Sequence, residues 1–476
     1  MYKMKLHKYI IPLGICLAVV SCTPGIAPLA ASKPVPESFD KSTDTINIST
    51  TPWRTYFKDQ NLVNLIDTAL KNNQELQITL QEIEIAKNDI RVKKGALLPK
   101  VGIGAGAGVE KVGRYTSQGA GDASTEIMPG KEMPDPLSDF KLAAYARWEV
   151  DIWKKLRNSK KVAVTRYLAT VEGKNFVITN LIAEVADSYY ELLALDSQLD
   201  IVRQNIALQS NALEIVKFQK EAARATELGV QKFQAEVMAS KSMEFEILQN
   251  IKETENKINF LLGQYPQEIK RDKSNFMSLM PSVINSGIPS QLLANRPDIK
   301  QAELQLTAAK LDVKVARAEF YPSLDISAAI GLNAFKPSYL FTLPESLLYS
   351  LAGDLAAPLI NRNAIKAEYS SANARQIQAL YNYERTILNA YLEVSSQLSK
   401  INNLGKSYDL KSQQVATLNR SIAVAGDLFK SAKVDYFEVL MTQRDALESN
   451  LELIDTKKEQ LNAIVHVYRE LGGGWK

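Results

Sequence analysis

Apolar and polar residues follow two patterns along this chain, and each pattern occurs in two copies. One copy covers residues 76–108 and the other covers residues 299–331, and the two align without a gap. Each copy begins with apolar residues spaced seven apart and changes to strict alternation after Pro99 or Pro322. A change of period from about 3.5 to 2 at a proline predicts a helix followed by a strand. Its recurrence predicts a duplicated unit. The heptad positions are Leu76, Ile83, Ile90 and Leu97 in the first copy and Ile299, Leu306, Val313 and Phe320 in the second.

Four alternating segments predict four β-strands of about ten residues each, a length that suits tilted strands crossing a membrane. They begin near Val101, Leu142, Leu324 and Leu347, and polar loops at 115–139 and 336–345 join them in pairs. Known outer-membrane barrels begin at about eight strands. We therefore expect the chain to share its strands with other copies of itself. The residues expected to face lipid are Val101, Ile103, Leu324 and Ile326, and those expected to face the lumen are Asp325, Ser327 and Asn333.

Two stretches without proline, residues 137–265 and 359–476, predict long helical hairpins. In the first, one helix of roughly 100 Å is expected from Lys154 to Ala222. A break near 224–229 and a helix to Leu262 follow. In the second, a helix over about 361–430 precedes a break near 431–435 and a last helix. Sustained heptads of this length favour a coiled coil. The core positions predicted for the first helix are Leu181, Val185, Ser188, Leu192, Leu195, Leu199, Val202 and Ile206.

The N-terminal residues 1–21 have the pattern of a signal peptide, with a basic start and a short apolar core. Val19-Val20-Ser21-Cys22 resembles the lipobox of bacterial lipoproteins, which implies cleavage before Cys22 and acylation of that residue. The alternative is a chance cysteine after an ordinary signal peptide. Residues 22–60 then predict a lipidated, extended tether, 61–265 a first repeat of helix, strand pair and hairpin, 266–289 a linker, and 290–476 a second repeat.

Composition and charge exclude several functions. The chain carries 57 Lys+Arg against 53 Asp+Glu, a net charge of +4, which gives no electrostatic footprint for nucleic acid. Histidine occurs only at His7 and His466, which excludes a His-based triad or a multi-His metal site in the mature chain. We expect no enzyme activity, no metal and no cofactor. The glycine run at 102–107 follows a helix, whereas a nucleotide fingerprint precedes one, so a small-residue strand face is the better interpretation.

The lipobox, the two helix–proline–strand units and the two hairpins together resemble the TolC-like outer-membrane efflux factors, in particular the lipoprotein branch that includes OprM and the NodT-type proteins. The sharpest match is residues 433–444, KVDYFEVLMTQR, which is similar to the family's D-Y-L-x-V-L-D-A-Q-R at the end of the second hairpin. Residues 226–236 match the end of the first hairpin. The resemblance implies a mainly α fold that forms a homotrimer, with a twelve-strand outer-membrane barrel on a periplasmic α-barrel. It also implies a periplasmic adaptor and an inner-membrane pump, of the resistance-nodulation-division type, as partners.

The resemblance also implies where the periplasmic end closes. Phe437 would form an apolar ring, Glu438 an acidic position and Arg444 a tether of the closed state. Two of the family's acids are replaced here by Met441 and Gln231. The gate is therefore expected to depend more on packing of Phe437 and Met441 than on charge. The alternative is that these two residues belong to the interhelical core.

Two functions remain open at this point. The chain is either a passive export duct of the bacterial outer membrane, lipid-anchored and extending into the periplasm, or a lipid-anchored structural or adhesive coiled-coil protein. The alternating strands favour the duct, because an adhesive rod has no need for four lipid-facing segments.

Overall fold

The computed structural model describes residues 36–39, 47–274, 276–279, 286–357, 363–431 and 433–475. The predicted signal peptide and the predicted lipidation site Cys22 lie outside these residues. Contacts between Cα atoms divide the chain into two compact units. Among the described residues, the strand unit comprises Ile85–Tyr167 and Leu304–Leu380. The helical unit comprises the described parts of Ala31–Glu84, Leu168–Glu303 and Tyr381–Lys476.

Helices make up most of the described chain, and four of them are far longer than the rest. The helices are α1 (Trp53–Tyr56), α2 (Gln60–Asn72), α3 (Gln74–Gly95), α4 (Ser117–Asp122), α5 (Lys155–Glu221), α6 (Glu227–Leu261), α7 (Gln291–Asn295), α8 (Pro297–Ala318), α9 (Asn363–Lys430) and α10 (Tyr436–Glu470). The strands are β1 (Lys100–Glu110), β2 (Glu126–Met128), β3 (Lys131–Glu132), β4 (Leu137–Val150), β5 (Ser323–Ala334) and β6 (Leu347–Ala356). The predicted long helices and the breaks between them are confirmed. Among the described residues, no helix combines the length and the apolar character that crossing a bilayer requires.

The strand unit contains a four-stranded antiparallel sheet in the order β1-β4-β5-β6. Residues opposite one another across the strands point to the same side, so the register assigns each residue to a face. The row through Ile103 continues through Ala144, Ile330 and Tyr349, and carries no charge. One face accordingly bears the predicted lipid-facing set, Val101, Ile103, Leu324 and Ile326, and the other bears Asp325, Ser327 and Asn333. The predicted division of the strands into two faces is confirmed.

The loop predicted over 115–139 contains short elements that the sequence did not indicate, α4 and the β2–β3 hairpin. The Thr116 side chain caps α4 by accepting a hydrogen bond from the Gly119 amide at 3.1 Å. Ser, Thr, Gly and Asp favour helix caps and turns as well as loops. Composition alone therefore did not distinguish α4 and the β2–β3 hairpin from an irregular loop. The second loop likewise holds one 3-10 turn, Pro337–Tyr339.

The two copies of the duplicated helix differ in how far this chain buries them. In α8, Val313 is fully buried against α9, where it packs near Tyr369 and Ala372. The equivalent position in α3, Ile90, is only partly buried. On another side of α3, Ile85 and Val92 are exposed by 69% and 66%. The second copy is therefore covered within its own chain, whereas the first leaves an apolar stripe uncovered.

The core of the helical unit follows the predicted heptads. Every predicted core position of α5 is buried except Ile206, which is partly buried. Tyr189 is fully buried among them, and its hydroxyl donates to Asp59 at 2.6 Å. The Tyr468 ring stacks on Tyr56 with centroids 4.0 Å apart, and the Tyr468 hydroxyl donates to the Thr51 carbonyl. The segment before α2, predicted as part of an extended tether, is thus fixed to the helices wherever it is described.

The connector between the repeats is also attached to both hairpins. Arg271 donates to Asp196 of α5 at 2.5 and 3.0 Å and to Glu255 of α6 at 2.7 Å. Further along, the buried Lys457 of α10 donates to the carbonyl of Leu279. Desolvation lowers the pKa of Lys457. The predicted linker is therefore a strap that contacts the first hairpin through Arg271 and the second through Leu279.

We expect Arg271→Met to destabilise the chain by roughly 3–5 kcal/mol, because it leaves two buried carboxylates without their cation. Unfolding of the detergent-solubilised protein, followed by circular dichroism, measures this. Lys273→Met is the matched control, since the Lys273–Asp200 pair beside it is exposed and such pairs contribute about 1 kcal/mol or less. Equal losses in the two variants would show that Arg271 is not a clamp.

Candidate functional site

The two hairpins end in breaks that are built alike, residues 222–226 and 431–435. At the first, the Thr226 hydroxyl accepts a hydrogen bond from the Gly229 amide at 3.2 Å and caps α6. At the second, the Asp435 carboxylate accepts from the Phe437 amide at 2.6 Å and caps α10. A side-chain acceptor at this position satisfies amides that the first helical turn leaves free. We call the two breaks and the first turns of α6 and α10 the hairpin tip.

An apolar cluster joins the two hairpins of one chain at the tip. Its buried members are Leu213, Val216, Val230, Phe233, Val237 and Leu440. Leu440 is the buried member contributed by α10, and it packs among side chains of α5 and α6. Beside it, the Tyr436 ring lies against Gly229, where an added Cβ would meet the ring at 3.3 Å. The tip is therefore held by packing, with a glycine that lets an aromatic ring approach α6 closely.

Phe437 lies outside this cluster. Its side chain is 47% exposed, although the neighbouring Leu440 is buried. Phe437 is therefore not part of the buried core of the single chain. Met441 is partly buried. An exposed phenylalanine at the end of a helical hairpin leaves apolar surface for another molecule or another copy to cover.

Charged groups flank the exposed ring. Glu438 is exposed and lines a groove of about 350 Å³ with Arg420, Val424 and Leu428. Arg444 is half exposed, and its nearest carboxylate is Asp445 of its own helix at 3.8 Å. The role of Arg444 as a tether stays a prediction.

Gln231 takes part in a small polar network on the outer side of α6. Its amide donates to Glu227 at 3.4 Å. Glu227 also pairs with Lys220 across the break, and the hydrogen bond from Lys220 lowers the pKa of the Glu227 carboxyl. Gln231 thus supplies a neutral donor where the family pattern has an acid.

Two residues of the tip, Leu440 and Lys232, were not identified from the sequence. Leu440 had a signal, because it continues the seven-residue series of Leu447, Ile454 and Leu461 towards the break. Lys232 had none, yet its ammonium lies 5.2 Å from the centre of the Phe437 ring. That contact joins α6 to α10, so no local pattern along the sequence indicates it.

The polar face of the sheet carries charge in rows. Glu149, Asp325 and Asp354 are in register across three strands. Near them the Lys155 ammonium contacts Glu149 at 2.5 Å and Glu319 at 3.7 Å. The next row on the same face contains Lys100 and Arg147. Within the described residues, no group of three or more His, Cys, Asp or Glu side chains is arranged to hold a metal ion.

Comparison with known proteins identifies the family. The sequence matches the family model described as outer membrane efflux protein over residues 65–264 and again over residues 288–473. The chain belongs to the outer membrane efflux protein family. It is the outer-membrane channel component of a tripartite export system, as predicted, and the alternative of an adhesive coiled-coil protein is wrong. Membership of a family of channel proteins also agrees with the expectation that the chain is not an enzyme.

Two relatives match nearly the whole chain. The pyoverdine export outer membrane protein OpmQ of Pseudomonas aeruginosa is 28% identical over 469 residues, which cover 98% of this chain and 96% of OpmQ. The cation efflux system protein CusC of Escherichia coli is 26% identical over 472 residues, which cover 98% and 99%. A crystal structure of CusC covers 95% of this chain and 100% of its own at a TM-score of 0.82 and 24% identity. The likeness confirms the predicted fold class, in which two repeats supply long helical hairpins and four barrel strands.

We expect Leu440→Ala to loosen the tip, because it removes the α10 side chain from the cluster that joins the hairpins. Truncations of this kind cost about 2–5 kcal/mol in a well-packed core. Trypsin should then cut faster after Arg224 and Lys433, which lie in the two breaks. Leu410→Ala is the matched control, since Leu410 is 68% exposed on α9. Unchanged cleavage in Leu440→Ala would show that the cluster does not hold the tip.

Proposed function

We propose that this chain forms a homotrimeric, lipid-anchored duct that carries solutes passively across the outer membrane. Its strands sit in the membrane, and its helical hairpins extend into the periplasm and close at the tip. A periplasmic adaptor and an inner-membrane pump, of the resistance-nodulation-division type, deliver the solute. The observation that carries the proposal is the sheet, with one apolar face and two unpaired edges.

The sheet edges argue for assembly with other copies. The outer edges of β1 and β6, 11 and 10 residues long, have no partner strand among the described residues. Backbone groups left unpaired in lipid are costly, and a membrane sheet avoids this by closing on itself. β6 of one copy and β1 of the next have nearly equal lengths and can pair. Three copies would give the twelve strands that the resemblance implies.

Exposed apolar residues on the helices support the same assembly. On α9, Tyr381 and Leu388 lie seven residues apart and are exposed by 64% and 58%. On α6, Met238 and Phe245 have the same spacing and are exposed by 59% and 71%. Seven-residue apolar spacing is typical of helices that pack in a coiled coil. These stripes are uncovered in the single chain and would be covered by neighbouring copies.

The names of the relatives point to a conduit with varied cargo. OpmQ is named for pyoverdine export and CusC for cation efflux, although both match almost the whole length of this chain. Relatives that share one fold and carry chemically unrelated solutes favour a passive channel whose cargo is chosen by its partners. We extend that role to this chain.

We propose that Cys22 is acylated and that the signal peptide is removed before it. Phe39 is fully buried and its ring stacks on Tyr391 at 5.3 Å, so the chain is fixed to the helical unit from that residue on. The residues between Cys22 and Phe39 can span at most roughly 60 Å when fully extended. Mass spectrometry of the mature amino terminus should find an acylated cysteine. A mature protein that begins elsewhere would contradict the anchor.

The faces of the sheet can be tested with two neighbouring alanines. Ala328 lies in the apolar row with Ala146 and Leu351, and Ala329 lies on the polar face opposite Tyr145. We expect Ala328→Lys to cost about 2–4 kcal/mol, because it places a charge in lipid, and Ala329→Lys to cost much less. The yield of assembled trimer in outer-membrane fractions measures the difference. Equal yields would show that the two faces do not divide lipid from lumen.

The gate can be tested by recording single channels of the whole protein in planar bilayers. We expect Phe437→Ala to raise the resting conductance, because the ring narrows the bore. Arg444→Ser should also raise it, by releasing the closed tip. Glu438→Gln should leave the resting conductance unchanged and reduce the preference for cations, since it removes a ring of negative charge. If all three variants behave like the parent, the constriction lies elsewhere in the channel.

A further inference from the structure

The contact between Lys232 and Phe437 joins α6 to the candidate gate ring on α10. Lys232 lies on the second turn of α6, and its ammonium is 5.2 Å from the centre of the Phe437 ring on α10. A cation at this distance is attracted by the negative face of an aromatic ring. The ring is 47% exposed and lies outside the apolar cluster, so packing within the chain covers it only in part.

The Lys232 ammonium has no carboxylate within ion-pair distance among the described residues. Glu227 pairs instead with Lys220. Asp435 uses its carboxylate to cap α10. The ammonium at the ring therefore forms no ion pair with a described carboxylate of its own chain.

Charged side chains of both signs lie near the Phe437 ring. Glu438 follows Phe437 directly and contributes one negative charge for each copy. Gln231 and Met441 contribute none, although the family pattern has acids there. Lys232 contributes one positive charge beside the ring. Lys232 on α6 therefore opposes the charge of Glu438 on α10 beside the apolar ring.

We propose that Lys232 is the residue that sets the charge selectivity of the closed end. Its ammonium orients the Phe437 ring and offsets the negative charge of Glu438, so that the constriction prefers cations less strongly than a ring of Glu438 alone would. The inference rests on the proposed gate at the tip and adds to it a residue that limits the cation preference of that gate. Long-range attraction by a ring of like charges raises the local concentration of the opposite ion.

Bilayer recordings of the whole trimer separate the two effects of Lys232. Lys232→Met keeps the aliphatic stem on the ring and removes the charge. We expect it to shift the reversal potential in a KCl gradient towards cation preference. We also expect it to raise the resting conductance about two- to fivefold, the loss that an exposed cation–aromatic contact predicts. Lys232→Arg keeps a cation at the ring and should leave both quantities near the parent values.

Two further variants distinguish the positioning effect from the charge effect. Phe437→Leu keeps an apolar side chain but removes the ring. In that background, Lys232→Met should still shift the reversal potential but should add nothing to the resting conductance. Lys241→Met, on an exposed lysine further along α6, is the control and should change neither quantity.

The outcomes separate this inference from the gate itself. If Phe437→Ala leaves the resting conductance unchanged, the gate is not at the tip and the inference fails with it. If Phe437→Ala opens the channel but Lys232→Met leaves the reversal potential at the parent value, the gate stands and the role of Lys232 is wrong. A shift of equal size in Lys241→Met would also overturn that role, because surface charge in general would then explain it.

Discussion

A backbone group inside a bilayer must find its hydrogen-bond partner in the protein, and this constraint governs the rest of the molecule. Within the described residues, the sheet of one chain pairs its strands along three internal boundaries, and the outer edges of β1 and β6 have no partner strand. A chain with four strands therefore has no complete membrane structure of its own. The apolar face, the uncovered helical stripes and the duplicated plan all follow from the need to complete the structure with further copies.

The sequence predicted the elements with a regular hydrophobic period well. The heptads of α5 and the alternation in the strands each sum a weak preference over many residues, so errors at single positions such as Ile206 have little effect. The division of β5 into a face with Ile326 and a face with Asp325 was predictable for the same reason. When side chains alternate between two faces, the only assignment left to make is which of the two faces contacts lipid.

The sequence did not predict the roles of residues that contact distant segments of the chain. Arg271 binds Asp196 and Glu255, yet charged residues in a connector look the same whether they are solvated or buried. Lys232 meets Phe437 only because α6 and α10 end side by side. The elements in the loop at 115–139 were missed for another reason, since their capping residues are also ordinary loop residues.

The tip combines rigid and adjustable contacts. Leu440 and Tyr436 pack against α5 and α6 and resist separation of the hairpins, whereas the Phe437 ring is half exposed and lies beside the Lys232 ammonium. The strap at Arg271 and the packing at Leu440 attach the hairpins to each other at separate levels of the helical unit. A substitution confined to the Phe437 ring therefore leaves intact the cluster that holds the helices together.

The unequal burial of the two repeats has a consequence for how the protein is made. The packing of α8 on α9 that buries Val313 forms within one chain. The rate at which this packing forms therefore does not depend on the protein concentration. The exposed stripe at Ile85 and Val92 of α3 is covered only when copies meet. The rate at which this stripe becomes buried therefore falls steeply as the protein concentration falls. A newly exported chain must therefore pass through the periplasm with this surface bare. Exposed apolar surface of this kind promotes aggregation, so aggregation competes with the encounter between copies before the channel is assembled.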